Sequence, residues 1–336
     1  MDRDKGYRDL SIIFALFDME HNSIVMEKGI IVEVLGPVVF VCRCEGERIA
    51  VEKPYACSLL GKKYAQGKPV PGDRVEFSIH SEVVQNRDYQ GVIYGIEPRT
   101  SLVERLEPGG RRPKSLVANL DTLAVVASVG APPLKPGLID RYLVCAHHWK
   151  IEPLIIINKW ELAEEIDLLY VRLYEALGYR CIMASAKEKI GLDEIRQTLE
   201  GRASAFLGHS GVGKSSLLNE LFPTAQLPTG ALSAQSQRGR HTTTASRLLP
   251  FDKGGFIIDT PGVREFGITG IPSQELSSCF PEFESYSKQC RFQPCSHTHE
   301  PDCAVRSAVE SDELAAFRYQ AYLKMYAEIR ELEKSW

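Results

Sequence analysis

The stretch GHSGVGKSS at 208–216 limits what this chain can fold into more than any other feature of its 336 residues. It fits the pattern G-x-x-x-x-G-K-[ST], follows the strand-like SAFL and runs into the helical SSLLNELF, the strand–turn–helix setting that the pattern needs. A turn of this kind wraps phosphate oxygens in backbone N–H groups, and its glycines permit the close approach. Gly208, His209, Ser210, Gly211, Val212, Gly213, Lys214, Ser215 and Ser216 are therefore expected to hold a nucleotide. Lys214 would meet the β and γ oxygens, and Ser215 would offer its hydroxyl to Mg²⁺.

The surrounding pattern agrees with a loop of this type. TLAVVASV, PLIIIN, RCIM and SAFL read as buried strands, separated by the helical IDRYLVCAHHW, ELAEEIDLLYVRLYEALG and LDEIRQTLE. Strands alternating with helices predict a parallel sheet covered on both faces, an α/β domain over 118–272. His147 and His148, with no Cys or carboxylate beside them in the chain, read as surface or packing residues. Further on, GGFIIDTPGVREF puts Asp259 at the end of an apolar strand, where its carboxylate can join the Mg²⁺ shell, and Gly262 where its N–H can sense the γ-phosphate. The polar RGRHTTT at 238–244 offers a threonine to complete that shell.

INKWEL at 157–162 resembles the N-K-x-D loop that reads guanine, with Asn158 and Lys159 present and Glu161 in the acid position. Glutamate keeps the charge and both acceptor oxygens but is one methylene longer, so the loop must shift or the contact loosens. ASAK at 184–187 supplies Ser185, Ala186 and Lys187, with the Ala186 N–H facing guanine O6. Guanine is the expected base, and an unselective or adenine nucleotide is the alternative. Both base loops precede the phosphate loop and the switch, so the GTPase order is circularly permuted, and the second switch leads directly into the C-terminal segment.

Upstream, IIVEVLG, VVFVCRC, RIAVEKP, PGDRVEFSI and QGVIYGIEP alternate with turn signals, which predicts an OB-like β-barrel over 28–103. Residues 104–117, rich in Pro, Gly and Arg, read as a linker, and residues 1–27 as an N-terminal extension. The apolar SIIFALF at 11–17 is too short for a membrane anchor and lacks an export-signal cleavage site. A net charge of -4 excludes a chain that coats nucleic acid by bulk charge and leaves room only for local basic faces.

Nine cysteines, an odd number, point to a reducing compartment, the cytoplasm. QCRFQPCSHTHEPDC groups Cys290, Cys295, His297 and Cys303, a set that suits a closed, structural Zn²⁺ site. His299 is the competing imidazole. Residues 273–336 are expected to form a zinc-binding, mostly α domain ending in a helix.

The order of these motifs, a barrel before them, and GRHTTT and DTPGVREFG among them resemble the ribosome small-subunit-dependent GTPase family (RsgA/YjeQ) from about residue 28 to the C-terminus. The resemblance implies a checkpoint factor of late 30S assembly that touches 16S rRNA, acts as a monomer away from membranes, and hydrolyses GTP to GDP and phosphate when stimulated by 30S. It assigns Thr243 to the first switch and Mg²⁺, Asp259 to the second, and catalysis to His241 with Lys214 and Thr243, because Val263 cannot orient water. The competing readings are an RNA- or protein-binding adaptor with a degenerate nucleotide pocket and a protein-signalling GTPase with a zinc module.

Overall fold

The computed structural model describes residues 25–46, 48–49, 53–60, 67–79, 89–106, 113–225, 227, 247–259, 268 and 270–334; of Arg48, Arg105, Leu106, Arg247 and Asp259 only the backbone is described. All but the last three residues of the expected N-terminal extension, SIIFALF included, therefore lie outside the described residues. No helix among the described residues is long and apolar enough to cross a membrane.

Strands β1 (Glu27–Leu35), β2 (Val38–Glu45), β3 (Arg48–Ile49), β4 (Tyr55–Leu59), β5 (Arg74–Ile79) and β6 (Gly91–Ile96) build the N-terminal unit. The pairings β1–β5, β5–β6, β6–β4, β4–β2 and β2–β1 close five of them into a barrel. Alternate residues point inward, so Ile31, Val39, Val41, Val75, Phe77 and Ile93 fill the interior. Gly29 sits where two strands pass too close for any side chain, since a Cβ there would lie 2.5 Å from Val41 and 2.8 Å from Phe77.

The segment expected to be a linker is folded in its described parts. β7 (Leu102–Leu106) and β8 (Pro113–Ala118) pair antiparallel, with Val103 opposite Val117. Both valines are fully buried and join the core under the large sheet. The Pro, Gly and Arg of 108–112 fall between the two strands and outside the described residues, and a period of two on either side of them was too short to stand out. The hairpin also grips the barrel: Ala118 N–H donates to Pro71 O at 2.9 Å and the Asn119 side-chain amide donates to Gly72 O at 2.9 Å.

The central sheet has the order β11-β10-β9-β12-β14-β13, formed by β9 (Thr122–Ser128), β10 (Glu152–Asn158), β11 (Arg180–Met183), β12 (Ala203–Leu207), β13 (Arg247–Pro250) and β14 (Phe256–Asp259). All neighbours are parallel except the β13–β14 edge pair. Successive residues of each strand enter opposite cores. Leu123, Val125, Ile155 and Ile157 pack toward helices α1 (Pro136–His148) and α2 (Glu165–Ala176). Ala124, Val126, Leu154 and Ile156 pack toward α3 (Leu192–Leu199) and α4 (Lys214–Leu221). Burial on both faces is why these strands read as continuous apolar runs.

The C-terminal unit holds short turns of 3₁₀ helix, then α5 (Glu284–Ser287), α6 (Ala304–Glu310) and α7 (Ala316–Lys334). Its core of Phe280, Phe283, Tyr319, Tyr322 and Met325 also takes in Val144 and Cys145 of α1, so it is continuous with the α/β unit. At that seam Arg318 of α7, wholly buried, bonds Asp140 of α1 at 2.8 Å and Glu282 at 2.6 Å, with its guanidinium 4.6 Å from the Phe280 ring centroid. The Tyr174 hydroxyl of α2 donates to the same Asp140 oxygen at 2.8 Å. Burying so many charged groups is tolerable only because each is paired.

Candidate nucleotide pocket and metal centre

Parallel strands bring their C-terminal ends to one edge of the sheet, whatever their order in the chain. β12 ends there in Gly208, whose φ of 152° and a would-be Cβ only 2.1 Å from Val126 O admit glycine alone. His209, Ser210 and Gly211 are exposed, Val212 is buried, and Gly213 leads into α4 with φ 90°. Lys214 Nζ donates to Gly208 O at 2.6 Å and to His209 O at 2.9 Å, which places the ammonium across its own loop, where phosphate oxygens would lie. Ser215 and Ser216 follow on the first turn of α4, half-buried. Backbone N–H groups at this helix start and the ammonium together make an anion site.

The base-reading loop leaves β10, two strands away. Asn158 is 2% exposed, and its amide works in two directions. Its Nδ2 donates to Val212 O at 2.8 Å, and its Oδ1 accepts from the Ala186 N–H at 3.2 Å. One side chain thus ties the base loop to the phosphate loop and to the A-S-A-K turn, which it also does by proximity, since a Cβ on Gly213 would lie 2.2 Å from that Nδ2. Lys159 takes the left-handed conformation, φ 62°, and its ammonium bonds Ala131 O. Trp160 N–H then donates to Ala184 O at 3.0 Å, and Glu161 follows on a 3₁₀ turn, Trp160–Leu162. The turn is braced from behind by the capping box of α2, in which Glu164 and Asp167 bond each other's backbone.

Glu161 itself is half-buried on this turn. A hydrogen bond from Ser185, and then the charges of Lys187 and Lys159, hold its carboxyl below the usual range. Its Oε2 is shielded from solvent and has no hydrogen-bond partner among the described residues. Ser185 is itself fully buried and accepts the Glu188 N–H at 3.0 Å. The sequence showed Ser185 only as part of a motif that offers an amide; its hydroxyl has a second use here, on the acid.

On the other side of β12, β14 carries the backbone of Asp259 to the same edge, in parallel register from Ala203 opposite Phe256. Ser215 and Asp259 therefore sit at one end of the sheet, as a Mg²⁺ shell would require. Gly262, His241 and Thr243 lie outside the described residues.

In the C-terminal unit Cys290, Cys295, His297 and Cys303 come together, with one ligand atom from each inside a 4.8 Å span. A tetrahedral Zn²⁺ with bonds of about 2.3 Å to sulfur and about 2.0 Å to nitrogen sets sulfur–sulfur edges of about 3.8 Å and sulfur–nitrogen edges of about 3.5 Å. The corresponding separations are 3.9 Å for Cys290 Sγ to Cys303 Sγ, and 3.6 and 3.4 Å from His297 Nδ1 to those two sulfurs. The donor set fits the metal in kind and in dimension. His299 is exposed and stands outside the group. The other ring nitrogen of His297 meets Ser287 Oγ at 3.2 Å, an outer partner of the sort that fixes a ligand's tautomer. Glu300 organises the same loop by accepting the Ser296 N–H at 2.7 Å; against the burial that would raise it, hydrogen bonds from Ser296 and the local backbone bring its carboxyl down to about 2. His147 and His148 take no part in either site. His147 Nε2 meets Tyr179 Oη at 3.0 Å and His148 lies 3.5 Å from a Glu275 carboxylate oxygen.

The profile of the RsgA GTPase family matches residues 96–269. The chain is 40% identical over 307 residues to the small ribosomal subunit biogenesis GTPase RsgA of Gemmatimonas aurantiaca, spanning 90% of this chain and 97% of that one. The protein of the same name from Saccharophagus degradans is 41% identical over 268 residues, 77% of this chain and 76% of its own. Among solved structures, YjeQ from Thermotoga maritima matches with a TM-score of 0.68 at 33% identity, over 91% of this chain and 99% of that chain. YloQ, described as a circularly permuted GTPase, matches with a TM-score of 0.70 at 29% identity, over 93% and 98%.

Proposed function

The chain belongs to the RsgA GTPase family, and from that premise we propose that its GTP hydrolysis is stimulated by the 30S subunit and coupled to its own release from that subunit. It is a GTP-hydrolysing enzyme of small ribosomal subunit biogenesis. In this reading it works as a monomer in the cytoplasm, against 16S rRNA, with GTP as substrate and GDP and phosphate as products. The observation that carries the reading is the pair of hydrogen bonds of Asn158, which join the base loop, the A-S-A-K turn and the phosphate loop into one pocket.

Within that pocket the loop from Gly208 to Gly213 would cradle the phosphates and Lys214 would swing from its own carbonyls to the β and γ oxygens. Ser215, Asp259 and Thr243 would hold Mg²⁺, which when bound neutralises charge between the β- and γ-phosphates. Glu161 would accept the guanine N1–H and exocyclic amine through its two carboxylate oxygens, and the Ala186 N–H would turn from Asn158 Oδ1 to O6. His241 would orient the attacking water, since the apolar Val263 cannot. The four-ligand cluster would hold a structural Zn²⁺ with no open position for chemistry.

The test is turnover of GTP and of ATP by purified protein, alone and with purified 30S subunits. GTP-selective hydrolysis that climbs steeply with 30S supports the proposal, and a His241→Ala chain should lose that climb while keeping its nucleotide affinity. No response to 30S would overturn it in favour of an adaptor, and equal turnover of both nucleotides would remove Glu161 as the base reader.

A further inference from the structure

Helix α2 is apolar on two sides, and the fold uses one of them. Asp167, Val171 and Tyr174 turn to the core and are buried, with Tyr174 edge-on to Tyr179 and Phe317. On the far side Leu162, which leads into the helix, Ile166 and Leu169 are 51%, 50% and 51% exposed, and Leu173 is half-buried. Their spacing, four, three and four residues apart, lines the side chains up in one stripe about three turns long. No other run of eight described residues exposes three large apolar side chains. A contiguous apolar strip outside the core marks a surface that something covers.

The charge around the stripe decides what that is. Residues 161–176 carry Glu161, Glu164, Glu165, Asp167 and Glu175 against Arg172 alone. Such a field repels the phosphates of RNA and the anionic face of a membrane. A second copy packed stripe to stripe would set the same acids against each other. A narrow ridge of this length fits the groove of another helix, and lysines or arginines on that helix's flanks would meet the carboxylates. We propose that α2 is the docking surface for a basic, amphipathic polypeptide helix, seated along Leu162, Ile166 and Leu169.

The stripe begins inside the nucleotide pocket's own wall. Leu162 closes the 3₁₀ turn that carries Glu161, and it rests on Gly130, where a Cβ would lie 2.9 Å from its Cδ1. The Lys159 ammonium bonds the carbonyl of the next residue, Ala131. A helix pressing on Leu162 therefore bears on the base-reading loop, and docking and nucleotide affinity alter one another. That coupling rests on the function proposed above; the docking surface rests on α2.

The experiment titrates the full chain against a fluorescent helical peptide of leucine and lysine at amphipathic spacing, and against the same peptide with glutamate for lysine, read by anisotropy. Binding of the lysine peptide alone is expected. I166Q/L169Q should bind it roughly tenfold more weakly, with melting point and GDP affinity unmoved, and E165K should weaken it as well. No binding, equal binding of both peptides, or undiminished binding by I166Q/L169Q overturns the proposal. Binding that appears only in a chain lacking residues 1–24, or a parent dimer that I166Q/L169Q loses, assigns the face to another occupant and also overturns it. Saturating lysine peptide should shift the parent's GDP affinity severalfold and leave that of I166Q/L169Q alone; an unmoved parent overturns the coupling. If the parent does not bind GDP at all, the nucleotide reading falls on its own, and the peptide titration still decides the surface.

Discussion

The cysteine cluster and the nucleotide pocket each hold a charged ligand, and they are built at opposite extremes of sequence separation. All four metal ligands lie between Cys290 and Cys303, in a stretch with hardly any regular structure. The nucleotide pocket draws Asn158, Ala186 and Val212 from the ends of different strands, with the Asn158 bonds spanning 54 and 28 residues. The local cluster gathers its four ligands on one short loop, against the aromatic core that also takes in Cys290 and Cys303. A pocket at the edge of a sheet is positioned by the two cores behind it. The difference also explains why a permuted chain works: strand order within the sheet positions the loops, and order along the chain does not enter.

The largest effect should come from the metal. Chelation, or Cys303→Ser, removes an interaction on the order of 10 kcal/mol from the C-terminal unit. Near-ultraviolet circular dichroism of its aromatic cluster should collapse while GDP affinity stays close to that of the intact chain; loss of both together would mean that the two sites are not independent. Next in size is the seam between them. Arg318→Met leaves Asp140 and Glu282 without their cation, and the chain should lose about 3–5 kcal/mol in denaturant unfolding. A loss confined to the C-terminal unit would show that the seam does not join the two.

The pocket is tested by Asn158→Ala, which strips the one side chain among the described residues that bonds both partner loops. GDP binding should weaken by about 1–3 kcal/mol by calorimetry, with zinc content unchanged. If affinity holds, the sheet alone positions the three loops. The smallest effect is electrostatic. Burial first, then the charge of Arg318, holds His147 below its ordinary 6.5, so the unfolded chain takes up the proton more readily than the folded one. Stability is therefore full above about pH 6.5 and declines as pH falls through that value toward the folded one. Thermal midpoints between pH 7.5 and 5.5 should show this slope, and His147→Gln should flatten part of it.

Legibility in the sequence followed the same division. The phosphate loop and the base loop were visible because each is a run of a few residues with a local geometric demand, as at Gly208 and Gly213; Thr243 and Gly262 of the two switches lie outside the described residues. The four metal ligands were visible for the same reason. The pairing of β7 with β8 was hidden because the prolines, glycines and arginines of 108–113 looked like a tether. The double bond of Asn158, the Ser185 hydroxyl on Glu161 and the pairing of Arg318 with Asp140 left no local trace, because each depends on which strands and helices become neighbours. Nothing in the spacing of Ser287 or Glu300 announced their support of the metal loop either.

The pairing of Arg318 with Asp140 spans 178 residues, and this has a consequence for how the molecule is made. Synthesis runs from the N-terminus, so α1 and the sheet leave the ribosome long before α7 exists. Until the last helix emerges, the carboxylate of Asp140 has no counter-ion and cannot be buried at reasonable cost. The flank of the GTPase unit that carries it must stay open to water until α7 has been made. The final surface of this enzyme is therefore completed only by a helix that its own ribosome delivers 178 residues later.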